Sequence, residues 1–175
     1  MSSAVIPSDL AGYAAQAAQL TGLDSSVILS QWISENGWKV PGGYNFGNIM
    51  VPGTHTLKSY GSGSEGVQAY ADFLKNNSNY VGVLETAGKT PEAQLRAIYT
   101  SPWDEGHYGG DGSRLVNVYN SVLNAEGQSG LVKVPTGSVG VSSGWLSGLG
   151  SMTQKQKLGI MGMAAGVLLL VAVSE

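Results

Sequence analysis

The sequence predicts a mainly α protein: a small helical domain with room for a short hairpin, a flexible linker, and one C-terminal transmembrane helix. Three observations predict it. Over residues 1–127, apolar side chains recur at helical spacing between helix start and stop signals. Residues 128–153 are dominated by glycine and serine, and residues 158–173 are apolar or glycine throughout. The composition changes at the same place. Of the 14 aromatic residues (4 Trp, 8 Tyr, 2 Phe), 13 precede residue 128 and only Trp145 follows it. Residues 1–127 hold 6 basic and 11 acidic side chains, net −5; residues 128–175 hold 3 basic and 1 acidic, net +2, which returns the −3 of the whole chain.

Each helix has its own punctuation. Pro7-Ser8-Asp9 opens the first, an Ala-rich run that ends at Gly22. Asp24 or Ser25 caps the second, SVILSQWISEN, which stops at Gly37. On it Leu29, Trp32, Ile33 and Asn36 share one face, by the i, i+3, i+4, i+7 rule. Glycine, proline and tyrosine dominate residues 38–63, a loop that can close as a small hairpin. Ser64 caps the run EGVQAYADFLKNN, with Val67, Tyr70, Ala71 and Leu74 on one side. Thr90-Pro91 opens PEAQLRAIY, with proline at the first helical position. Residues 100–112 are a polar loop. The last helix, SRLVNVYNSVLNAE, turns Leu115, Val118, Tyr119 and Val122 inward and ends at Gly127.

In the linker, 6 glycines and 6 serines fill half of residues 128–151. Such a segment loses much backbone entropy on ordering and buries little in return. The domain is therefore assigned to 1–127, the linker to 128–153 and the anchor to 154–175. A helix over 158–173 is about 24 Å long against a hydrocarbon core of about 30 Å; Lys155 and Lys157 extend its reach by snorkelling. The start, MSSAVIPSDLAGY, has no basic region and no long apolar run, so insertion falls to the C-terminal segment. The positive-inside rule then keeps Lys155, Lys157 and the domain before them cytoplasmic.

Several function classes are excluded. The acidic balance argues against a nucleic-acid partner. With 0 cysteines there is no disulfide framework, thiolate metal site or cysteine nucleophile. His55 and His107 lack ligand-like spacing, residues 104–112 lack the alternating oxygen ligands of a calcium loop, and no phosphate-cradling glycine loop follows a strand. No metal or cofactor is expected.

Glu35 is the position that looks chemical. It sits in the last turn of its helix, where the dipole disfavours an ionised carboxylate. Trp32 and Trp38 flank it in sequence and can exclude water. Such surroundings help a carboxyl group hold its proton, as a general acid must before passing it to a leaving sugar oxygen. Placement alone also fits an exposed Glu at a helix end.

The run SVILSQWISENGW resembles the catalytic helix of the glucosaminidase-type peptidoglycan hydrolases, glycoside hydrolase family 73, within the lysozyme-like superfamily. Three further motifs follow in the family's order, so that the resemblance covers about residues 20–124. Tyr44-Asn45-Phe46-Gly47-Asn48-Ile49 stands where the family has Asn-Leu-Phe-Gly-Ile-Lys or similar. Tyr60 and Ser64-Glu65, then Tyr70 and Phe73-Leu74, match the family's next segment and helix. The run from Tyr99-Thr100-Ser101-Pro102 to His107-Tyr108 matches its tyrosine-rich loop. The chain is shorter between the Glu35 motif and the Ser64-Glu65 segment than many members.

The resemblance implies a lysozyme-like helical fold and cleavage of β-1,4 links in peptidoglycan, with Glu35 as catalytic acid. An oxocarbenium-like transition state wants a second negative group or a positioned water. Glu65 falls where the family's Ser-x-Glu segment opens the next helix, although it can equally complement that helix's N-terminus; Asp104, Glu105 and Asp111 are alternatives. Tyr99 and Tyr108 match the loop tyrosines, which orient a water or an N-acetyl group or simply pack. Asn45 and Phe46 are expected at the groove floor, one bonding an acetamido group and the other stacking on a sugar, and Trp103 along the cleft.

Without a second carboxylate, a lytic transglycosylase becomes attractive, the substrate's own 6-hydroxyl closing an anhydro ring. A wall-cutting domain on the cytoplasmic side cannot meet its substrate unless it is carried elsewhere. The expectation is therefore a bacteriophage enzyme in the internal membrane of a virion, alongside other virion proteins, or a lysis enzyme at the host inner membrane. Its partners are peptidoglycan glycan strands and lipid through 158–173. A non-catalytic glycan-binding or scaffold protein is the alternative from another class.

Overall fold

A computed structural model describes residues 5–104, 106 and 108–127. Glu105, His107, the linker 128–153 and the anchor 154–175 lie outside the described residues. Within them the expected mainly α fold is found: α1 (Ser8–Thr21), α2 (Ser25–Asn36), α3 (Gly63–Asn76), the one-turn α4 (Val81–Leu84), α5 (Pro91–Tyr99) and α6 (Ser113–Ala125). Among the described residues there is no strand, and no helix is long and apolar enough to cross a membrane. The expected hairpin reduces to one antiparallel bridge between Met50 and Leu57.

Helix α2 is the central post, packed on α6 along one side and on α1 along the other; α1 in turn packs on α3. For this reason burial is not confined to one stripe. Every residue from Ser26 to Ile33 is buried, well beyond the face expected from periodicity. The two buried serines of α2 are both hydrogen-bonded: Ser30 Oγ donates to the Ser26 carbonyl, and Ser26 Oγ donates to Glu126 Oε2 at 2.8 Å, tying the start of α2 to the end of α6. Asp24 caps α2, its Oδ1 accepting from the amides of Ser26 at 2.8 Å and Val27 at 3.2 Å. Gly37 ends the helix in a left-handed conformation, φ 76°, with its N–H donating to the Ile33 carbonyl at 2.8 Å. A residue with a Cβ disfavours that turn, so the glycine fixes where Glu35 leaves the core.

The cap of α3 is Ser62, two positions before the expected Ser64; its Oγ accepts from the Glu65 amide at 3.2 Å. Thr90 caps α5 as expected. The long loop between α2 and α3 is organised by Asn45. Its Nδ2 donates to the carbonyls of Ile49 and Lys58, both at 2.9 Å, and its Oδ1 accepts from the Ile49 amide at 2.8 Å. One buried amide thus closes the base of the finger that carries the Met50–Leu57 bridge.

Candidate active site

Glu35 emerges half-buried from the last turn of α2, and the side chains of two distant loops hold its carboxyl group. Tyr108 Oη donates to Glu35 Oε1 at 2.5 Å. Asn48 Nδ2 donates to Glu35 Oε2 at 3.0 Å. Tyr108 is fully buried, and its backbone is pinned on both sides: its amide donates to Asp104 Oδ1 at 2.7 Å and its carbonyl accepts from the Arg114 amide at 3.2 Å. Asn48 is left-handed, φ 50°; asparagine is among the few side chains that visit this region readily. Gly47 before it has no room for a side chain, since a Cβ would sit 3.0 Å from the Tyr70 ring and 3.3 Å from the Trp103 ring.

Behind the carboxyl runs a buried polar chain. Gln31 lies between two phenols. Its Oε1 accepts from Tyr70 Oη at 2.6 Å, while its Nε2, which has no hydrogen-bond partner of normal geometry, faces Tyr108. Burial pushes the Tyr108 hydroxyl well above the ordinary phenol range, and the charge of Glu35 adds to it. Burial does the same to Tyr70, partly offset by the Trp32 indole. Both phenols therefore remain protonated at any physiological pH, and Tyr108 stays a donor toward Glu35.

Two cavities meet at this carboxyl group. One, of about 490 Å³, has a wall of Phe73, Tyr80 and Trp103. Those rings form a packed cluster, with Tyr80 and Trp103 centroids 4.7 Å apart and Phe73 and Tyr80 4.8 Å apart. The other, of about 410 Å³, is polar and lined by Asn36, Lys39, Asn45 and Lys58. Glu35, Asn48 and Leu57 line both. A carboxyl group thus stands between an aromatic and a lysine-bearing half of one cleft.

The residues expected from sequence divide into those the fold brings to Glu35 and those it uses elsewhere. Tyr108 touches the carboxyl, and Trp103 lines the aromatic cavity with its Nε1 donating to the Gly47 carbonyl at 3.1 Å. Phe46 is a core residue, 1% exposed and stacked on Trp32 at 4.3 Å, so it offers no face to a sugar. Asn45 walls the polar cavity, but both hydrogens of its amide are engaged in the loop and are not there to hold an acetamido group. Glu65 lines neither cavity; its Oε2 accepts from the Gly61 amide at 2.8 Å, one residue before the Ser62 cap, so its carboxylate is used to secure the start of α3. Tyr99 packs under Gly112, where a Cβ would lie 2.2 Å from its ring.

Asp104 holds the Tyr108 amide; the Ser113 side chain, and after it the Ser113 amide at 2.9 Å, keep the Asp111 carboxyl below the usual range. Glu105 lies outside the described residues. Neither Trp32 nor Trp38 lines the cavities; Trp32 is buried in the core. The sequence marks Tyr70 only as a motif and packing residue and Asn48 only as part of a motif, and gives no site role to Gln31, Lys39 or Lys58. Asn48 carried one usable signal, an asparagine directly after glycine in a turn-rich segment.

No group of three or more His, Asp or Glu side chains suited to a metal ion occurs among the described residues. Compared with known protein families, curated proteins and solved structures, the chain finds no match.

Proposed function

We propose that this chain is a peptidoglycan-cleaving enzyme of the lysozyme-like kind, with Glu35 as its general acid. The observation that carries the reading is the position of Glu35 at the junction of two cavities, where a polymer threaded through both presents one linkage to the carboxyl group. The motif order across residues 20–124 supplies the substrate class. Glu35 gives its proton to the glycosidic oxygen as the bond to the anomeric carbon breaks, and an oxocarbenium-like sugar remains. Tyr108 and Asn48 fix the carboxyl so that proton transfer starts from an aligned geometry.

One observation favours transglycosylation over hydrolysis at the next step. Among the described residues, Glu35 is the only acidic side chain lining either cavity. With one carboxylate, the sugar's own 6-hydroxyl attacks the anomeric carbon and Glu35 takes up the hydroxyl proton, closing a 1,6-anhydro ring and restoring the acid. In hydrolysis a water fills the same role and leaves a reducing end. The apolar segment 158–173 tethers the enzyme to a membrane in this proposal, and a bacteriophage particle is the setting in which such a tether meets the wall; mass spectrometry of purified virions tests that placement.

The decisive experiment is a zymogram over purified cell walls with mass analysis of the products. Wild-type protein should clear the walls and Glu35→Gln should not. Equal clearing by both removes Glu35 from the mechanism, and clearing by neither favours a glycan-binding or scaffold role. Anhydro ends identify transglycosylation and reducing ends identify hydrolysis.

A further inference from the structure

The two halves of the cleft differ in charge, and this asymmetry bears on substrate orientation. The polar cavity holds Lys39 and Lys58 against a single acidic side chain, Glu35. Both lysines are exposed, and among the described residues neither has a hydrogen-bond or ion-pair partner for its ammonium group. Their backbones are nevertheless fixed. Lys58 N–H donates to the Ile49 carbonyl at 2.8 Å and its carbonyl accepts from buried Asn45, while Lys39 N–H donates to the Gly37 carbonyl at 2.8 Å just beyond the turn that ends α2. The aromatic cavity on the far side of Glu35 contains no Lys or Arg among its lining residues. An unpaired, doubly cationic pocket beside the acid suits an anionic substituent on one of the two sugars flanking the scissile bond.

We propose that Lys39 and Lys58 form a carboxylate-binding subsite that seats the muramic sugar next to Glu35. The uncharged N-acetylglucosamine then falls to the aromatic half, where Trp103 and Tyr80 offer apolar surface. The inference rests on the function proposed above and adds to it a direction of threading and a basis for rejecting uncharged glycans. The ligand group is a carboxylate, carried by the lactyl ether or by the peptide stem attached to it.

The test measures binding to the full-length Glu35→Gln protein in non-ionic detergent, so that the ligand is not consumed. Three probes are compared: chitohexaose, which has no carboxylate; a peptide-free alternating N-acetylglucosamine–N-acetylmuramic acid oligomer; and the same oligomer with its stems. The carboxylate-bearing glycans should bind about five- to twentyfold more tightly than chitohexaose, each exposed ion pair contributing about a two- to fivefold factor. The advantage should shrink as ionic strength rises and vanish in the Lys39→Gln/Lys58→Gln variant, while chitohexaose binding stays constant. A preference for both muramic oligomers assigns the lactyl carboxylate, and a preference for the stem-bearing one alone assigns the stem. Equal binding of all three glycans, or an advantage that survives the double substitution, overturns the subsite and leaves the proposed function standing. Absence of glycan binding altogether overturns both.

Discussion

Replacing Tyr108 by Phe removes one oxygen atom from a fully buried side chain and isolates what its hydroxyl does for Glu35. The ring stays, so packing against the core is retained. What is lost is the 2.5 Å bond to Glu35 Oε1. A hydrogen bond to a charged partner contributes about 1.5–3 kcal/mol. Here the low end applies, because Glu35 is half-buried and borders both cavities, so water can take the vacated position. A loss of about 1.5 kcal/mol from the transition state corresponds to roughly a twelvefold drop in kcat. KM should stay near its original value, since the hydroxyl faces the acid and not the cleft. Turnover of purified cell walls, followed by release of soluble muropeptides, measures this, and urea denaturation of the same sample should show a stability change of about 1 kcal/mol or less. Unchanged turnover would refute the argument that Tyr108 positions the acid. A drop matched by an equal loss of stability would reduce Tyr108 to a packing residue.

Asn48→Gly keeps the left-handed backbone of φ 50° while deleting the amide that holds Glu35 Oε2; activity on cell walls should fall about three- to tenfold with the thermal midpoint nearly unchanged, an amide bond being worth about 0.5–1.5 kcal/mol. Asp24→Ala removes the cap that accepts from the Ser26 and Val27 amides and should lower stability by about 1 kcal/mol, measured by urea titration, without altering product type. The raised Tyr108 and Tyr70 hydroxyls predict alkaline sensitivity with a definite sign. A phenol held protonated in the fold ionises first in the unfolded chain, so its stabilising contribution is complete below about pH 10 and is lost as pH rises above it, by up to about 1.4 kcal/mol per pH unit for each group. Denaturation midpoints should therefore fall less steeply above pH 10 in Tyr108→Phe than in wild type, and parallel curves would contradict the burial argument.

Five of the helices were legible because local signals set their ends; the one-turn α4 (Val81–Leu84), which has no side-chain cap, carried no such signal and was not expected. Asp24, Thr90-Pro91, Gly22 and Gly37 mark the ends where sequence places them. The single slip in capping, Ser64 for Ser62, arose because either serine of Gly61-Ser-Gly-Ser can cap, and the Glu65 side chain reaching back to Gly61 selects the earlier one. Glu35 was legible from its place at a helix exit. Tyr108, 73 residues away, was legible as a site residue only through the motif resemblance, which did not separate it from Tyr99; Asn48, 13 residues away, was not legible as a partner. An aromatic such as Phe46 gives no sign in sequence of which side of a wall it faces; its ring turned to Trp32 in the core and left the cleft to Phe73, Tyr80 and Trp103. The buried link through Gln31 was hidden for a similar reason, since a glutamine on an amphipathic helix ordinarily points to solvent and only the covering of α2 on both sides turns it inward.

The complete burial of α2 from Ser26 to Ile33 and of Tyr108 sets the Glu35 carboxyl and its phenol partner on one and the same core. On warming, the contact between them should survive until the helical post itself gives way. Loss of that contact and collapse of the domain would then be one event, seen as coincident melting curves by tyrosine absorbance and by circular dichroism.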